Sequence, residues 1–118
     1  MKKKIIILGS TGSIGKTLIN VLKKNKKNFT IELLTIDKNF QELLRQISIF
    51  KVKNIIVSNY NTYLKLKKIL KKKKINIYND FKKIDLILKN KKIDYSMSCI
   101  SGIEGLLPTL KIIRFSKI

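Results

Sequence analysis

The stretch IIILGSTGSIGKTLINVL, Ile5 to Leu22, carries an apolar strand into a glycine-bearing loop and then into a helix with an apolar stripe. Two phosphate cradles share that outline, because in both the N–H groups of a helix N-terminus point at an anion. A dinucleotide loop uses glycines for the tight turn, for close approach of a pyrophosphate and for helix-strand packing. A Walker A loop needs Gly, four residues, then Gly-Lys-Ser/Thr. Gly15-Lys16-Thr17 supplies the Walker ending, but counting back places Ser10 where its first glycine belongs, and Gly9 is one residue too early. Gly9, Gly12 and Gly15 instead recur every third residue, a variant of the dinucleotide form, and Lys16 becomes an ordinary helix residue. A plain strand-turn-helix and a small P-loop phosphotransferase stay open as alternatives.

Downstream, strand-like and helix-like patterns alternate. Strand runs cover Lys4 to Leu8, Thr30 to Ile36, Asn54 to Ser58, Ile75 to Tyr78 and Ile93 to Ile100. Between them, apolar residues fall at helical spacing: Ile14, Leu18, Leu22; Phe40, Leu43, Leu44, Ile47; Tyr63, Leu66, Leu70; and Phe81, Ile84, Leu88. Such stripes are core packing before anything else. Asn39, Asn59 and Asp80 stand where N-caps of the second, third and fourth helices are expected. Near-continuous apolar strands suit a parallel sheet covered on both faces. The fold expected is therefore α/β, a doubly wound, mostly parallel sheet of the Rossmann-like NAD(P)-binding kind.

Asp37 closes the second strand 22 residues beyond Gly15 (37 minus 15). That is the place of the acid that binds an adenosine ribose, and also of a Walker B acid. A second strand-turn-helix pattern, SCISGIEGLLPTL from Ser98 to Leu110, puts Gly102 and Gly105 either in a plain tight turn or at the same crevice as Gly12. Pro108 falls in the first turn of a last helix, a position that proline tolerates.

The net charge of +20 invites a nucleic-acid reading. Its composition argues against one: 25 of the 27 basic residues are Lys, and only Arg45 and Arg114 are Arg, the better reader of phosphate and bases. Lys, Ile and Asn make up 57 of the 118 residues and Ala is absent, the mark of an AT-rich coding bias. The lysines are read mostly as solvated surface, spread over every helix. A basic, non-catalytic nucleic-acid module is kept as the rival reading from another class. Cys99 is the only cysteine and His is absent, which leaves no disulfide, Cys-His pair or zinc cluster within the chain. The apolar run Ile5 to Leu8 is too short for a signal-peptide core, and no run approaches the roughly 18 residues of a membrane span, so a cytoplasmic protein is expected.

Two of these stretches together resemble the 1-deoxy-D-xylulose 5-phosphate reductoisomerase family. ILGSTGSIG, Ile7 to Gly15, is similar to its amino-terminal signature, and GIEGLLPTL, Gly102 to Leu110, to its Gly-x-x-Gly-Leu-x-Pro-Thr segment. DKN, Asp37 to Asn39, falls where the family usually carries Gly-Lys-Asn. The resemblance implies NADPH as cofactor, with Thr11, Gly12, Ser13 and Ile14 at the pyrophosphate and Lys38 and Asn39 at the adenosine end. Asp37 and Glu104 depart from the pattern; a carboxylate in place of glycine favours the bare ribose of NADH. The family's chemistry is a metal-assisted rearrangement of a sugar phosphate followed by reduction to 2-C-methyl-D-erythritol 4-phosphate, in non-mevalonate isoprenoid synthesis. Its divalent metal, Mg or Mn, sits in a later domain, and Asp80, Asp85 and Asp94 here read as caps or surface charges. Residues 1–118 are thus expected to be an NAD(P)-binding domain incomplete at its carboxyl end, with no catalytic or metal-binding residues of its own. The partners implied are a small sugar phosphate and, with the rest of the protein, a second copy as homodimer; no specific nucleic acid and no membrane are expected.

Overall fold

The computed structural model describes residues 3–89 and 91–99. Five strands alternate with four helices: β1 (Lys3–Leu8), α1 (Ser13–Lys23), β2 (Phe29–Ile36), α2 (Phe40–Ile49), β3 (Asn54–Val57), α3 (Tyr60–Ile69), β4 (Asn76–Tyr78), α4 (Ile84–Leu88) and β5 (Tyr95–Ser98). The strands pair in parallel in the order β4-β3-β2-β1-β5. The chain steps outward from β1 to β4 and then crosses back to lay β5 on the other side of β1. The order of connection therefore reverses beside β1, the place where open α/β sheets bind ligands at the carboxyl ends of their strands.

The central position of β1 follows from its composition, since Ile5, Ile6 and Ile7 are fully buried on both sheet faces. One face packs Ile5, Ile7, Ile31 and Leu34 against Ile19 of α1, Leu43 of α2 and Leu66 of α3. The other packs Ile6, Leu8, Leu33 and Ile56 against Ile84, Ile87 and Leu88 of α4. The doubly wound expectation holds, with three helices on one face and α4 on the other.

The expected caps form. Asn39 Oδ1 accepts from Glu42 N at 3.1 Å and Asn59 Oδ1 from Thr62 N at 3.0 Å. Asp80 Oδ1 accepts from Lys82 N at 2.8 Å, but it caps a 3-10 turn, Phe81–Lys83, that leads into α4. Ile14 departs from its expected place in the apolar stripe of α1, being 67% exposed. The helix meets the sheet through Gly15 and Ile19, with Leu18 and Leu22 partly buried beside them, while Ser13 and Ile14 at its start are exposed. Asp94, read as a cap or surface charge, ties two strands together: its Oδ2 accepts from Lys4 N at 2.8 Å and its own N–H donates to Lys4 O at 2.9 Å.

One irregularity was not visible in the apolar pattern. The β1–β2 register slips between Ile5 and Ile6, leaving Glu32 as an extra, bulged residue. Glu32 is completely buried and lies 3.3 Å from Lys53 Nζ and 3.1 Å from Lys91 Nζ. These two lysines are exceptions to the solvated majority. Gly102, Gly105 and Pro108 lie outside the described residues.

Candidate functional site: a cleft at the carboxyl edge of the sheet

β1 ends at Leu8, and the backbone turns at once through Gly9, whose φ of 72° lies in the left-handed region that favours glycine. The turn is held from the neighbouring strand. Thr35 O accepts from Gly9 N at 3.0 Å and Ser10 N at 3.1 Å, and Thr35 Oγ1 accepts from Gly9 N at 2.9 Å. α2 holds the next peptide: the buried Gln46 Nε2 donates to Ser10 O at 2.8 Å. Glu42 Oε2 accepts a second bond from Gln46 Nε2 at 2.9 Å and pairs with Arg45 at 2.6 Å. The bond from Arg45, reinforced by the one from Gln46, draws the Glu42 carboxyl below its ordinary value.

Gly15 fixes how closely α1 sits on this loop. A Cβ built there would stand 2.4 Å from Gly9 O and 2.5 Å from Ser10 O, closer than real contacts allow. At Gly12 the nearest atom to such a Cβ is Gly9 O at 3.8 Å, so nothing in the described chain demands glycine there. Gly12 opens α1 with no side-chain cap and no acidic residue in the first turn. The first bond along the helix runs from Lys16 N to Gly12 O at 2.8 Å, leaving the N–H groups of Ser13, Ile14 and Gly15 at the orphan N-terminal positions of a helix, while Gly12 N donates to Gly9 O at 3.4 Å. A Walker role is unsupported: Lys16 is exposed on the helix, and the Thr17 hydroxyl donates to Ser13 O at 3.0 Å.

The loop borders a cleft of about 690 Å3. Thr11 and Gly12 line one side, and Asp37, Lys38 and Asn39, which link β2 to α2, line the other. Four of the six residues expected at the cofactor thus meet around one space, although they belong to two separate connections. Ser13 and Ile14 follow in the first turn of α1, both exposed. The Asn39 side-chain oxygen is engaged in capping α2. Ser58, at the end of β3, lines the same cleft and donates from Oγ to Asp37 Oδ1 at 2.8 Å. Cys99 lies on the β5 side, and burial raises its thiol pKa. Among the described residues no three His, Cys, Asp or Glu side chains group as metal ligands, and no helix is long and apolar enough to cross a membrane.

Thr35, Gln46 and Ser58 were missed in the sequence. Gln46 left a trace, a polar residue three positions after Leu43 on the inward side of α2, and Ser58 occupies after β3 the place that Asp37 occupies after β2.

Comparison with known proteins decides the family. The model of 1-deoxy-D-xylulose 5-phosphate reductoisomerase matches residues 5–118. The chain belongs to the 1-deoxy-D-xylulose 5-phosphate reductoisomerase family. The reductoisomerase of Pelagibacter ubique is 52% identical over 116 residues, covering 98% of this chain and 30% of that protein. That of Buchnera aphidicola is 38% identical over 117 residues, covering 98% and 29%. Among solved structures, the Zymomonas mobilis reductoisomerase in complex with NADPH superposes with a TM-score of 0.85 at 24% identity, over 97% of this chain and 30% of that one. A reductoisomerase in complex with NADPH, fosmidomycin and magnesium gives 0.81, over 93% and 27%. Both share the fold, and the chain spans about 30% of the length of the reductoisomerases it matches.

Proposed function

We propose that this chain is the dinucleotide-binding part of a 1-deoxy-D-xylulose 5-phosphate reductoisomerase and binds NADPH in the cleft between the Gly9–Gly15 loop and the Asp37–Asn39 connection. The observation that carries the reading is the uncapped start of α1 beside Gly12, where a Cβ would have room in the protein. A glycine that its own fold does not require leaves space for a ligand to approach the backbone. In this reading the amides of Ser13 and Ile14 and the Thr11 and Ser13 hydroxyls face the pyrophosphate, and Gly12 lets it approach the backbone. Lys38 and Asn39 hold the adenosine end, with the amide nitrogen of Asn39 available because its oxygen caps α2.

NADPH, when bound, supplies the hydride that completes reduction to 2-C-methyl-D-erythritol 4-phosphate. The contribution of these residues is to bind and orient it. In keeping with the family resemblance, the divalent metal and the sugar phosphate are assigned to later parts of a complete, cytoplasmic and homodimeric enzyme. The excess of lysine is assigned to general charge, with no sequence-specific nucleic acid as partner.

The test is titration of the chain with NADPH, followed by nicotinamide fluorescence and melting temperature. Micromolar-range binding that Gly12→Val weakens at least tenfold is expected; no response to NADPH rejects the proposal. The isolated 118-residue chain is also expected to yield no product from 1-deoxy-D-xylulose 5-phosphate and NADPH, and measurable turnover rejects the assignment of catalysis elsewhere.

A further inference from the structure

Asp37, directly after β2, lines this cleft beside Lys38 and Asn39. Ser58 fixes it. The Ser58 N–H donates to Ile36 O at 3.0 Å, anchoring the residue at the end of β3, and its hydroxyl donates to Asp37 Oδ1 at 2.8 Å. The same hydroxyl also lies 3.3 Å from Ile36 O, but it has one proton, and the shorter bond to the charged acceptor is the stronger. An ionised carboxylate only accepts hydrogen bonds. It therefore complements a ribose, whose 2′- and 3′-hydroxyls donate, and opposes a 2′-phosphate, which carries negative charge and acceptor oxygens of its own. Lys38, the next residue, supplies the opposite preference as a flexible point charge in the same cleft.

We infer that the pair Asp37 and Lys38 makes this chain a dual-cofactor binder, taking NADH nearly as well as NADPH, with Asp37 as the residue that admits NADH. The inference rests on the dinucleotide reading above and adds the identity of the group that sets cofactor choice. It follows from placement: the carboxylate is oriented by the adjoining strand, lines the cleft, and follows the second strand, where an acid meets the ribose in dinucleotide folds.

The experiment compares dissociation constants of NADPH and NADH for the full chain and for Asp37→Asn and Asp37→Gly, at fixed ionic strength because exposed charges are screened by salt. Asp37→Asn keeps an oxygen for the Ser58 bond while removing the charge and replacing the other oxygen with an amide donor, and Asp37→Gly removes the charge without adding a donor; circular dichroism confirms that each variant is folded. The native chain is expected to hold the two constants within about tenfold of each other, and both substitutions to shift the ratio at least about tenfold toward NADPH. A native preference for NADPH beyond about tenfold, or a ratio that neither substitution moves, overturns the inference while leaving dinucleotide binding intact. Binding of neither cofactor overturns the dinucleotide reading, and this inference with it.

Discussion

Gly15 and Gly12 are separated by one spacing of the motif and are glycine for different reasons. Gly15 sits where a methyl group would meet two backbone carbonyls of the loop, and neither can swing aside as a side chain could. Gly15→Ala is therefore expected to cost about 2 kcal/mol or more through overpacking, a drop of roughly 8 °C or more in Tm for a domain of this size. Thermal unfolding followed by circular dichroism checks it. Gly12 has an extended backbone, φ −76° and ψ 177°, that any residue adopts, and room for a Cβ. Gly12→Ala should leave stability within about 1 kcal/mol, the small difference between Gly and Ala at an N-cap, and lower NADPH affinity. A Gly12→Ala chain that unfolds like Gly15→Ala would show that Gly12 serves packing after all. The three-residue spacing announced all these glycines alike; only the neighbouring carbonyls separate their roles.

α2 couples two connections that the cleft needs in register. Asn39 caps its first turn, while Gln46, two turns further along, reaches the glycine loop. Gln46→Leu keeps the volume of this position approximately and removes the donor, leaving Ser10 O buried without its partner. A loss of about 1–3 kcal/mol is expected from an unsatisfied buried acceptor, accompanied by weaker NADPH binding, because the loop is then held from the Thr35 side alone. Denaturant unfolding and cofactor titration on the same variant measure both effects; unchanged affinity would show that Thr35 suffices. The Glu42 carboxyl, drawn below its ordinary value of 4.5 chiefly by the Arg45 bond, makes the same region acid-sensitive. A carboxyl with a depressed folded-state pKa contributes stability that is present above its unfolded value and lost as pH falls through its folded value. Unfolding free energy should thus fall below about pH 4.5, and Glu42→Gln should flatten that part of the profile.

Across the sheet, polar chemistry divides between the carboxyl edge and a buried site midway along β2. The carboxyl ends of β1, β2 and β3 gather Gly9, Asp37 and Ser58 around the cleft, whereas Glu32, midway along β2, bulges into a buried site and binds two lysines. Glu32→Ala is expected to destabilise the chain by about 1–3 kcal/mol, less than for a fully enclosed pair because both lysines reach water. NADPH affinity should be unaffected, since the bulge lies midway along β2, five residues before Asp37, and Glu32 does not line the cleft. Urea unfolding together with cofactor titration tests that separation; a parallel loss of affinity would refute it. Strands, helices, caps and the glycine loop could all be read from the chain because each depends on residues within a few positions of one another: alternation, helical spacing, or an asparagine three residues before the N–H it accepts. The contacts that complete the site obey no such local rule. Gln46 meets a carbonyl 36 residues away, Ser58 meets Asp37 across 21, and Lys91 meets Glu32 across 59. Hydropathy and spacing thus fixed the layers and the strand that carries the loop, while the parallel crossovers brought these distant polar groups together and selected, among many similar polar residues, those that hold the loop and orient Asp37.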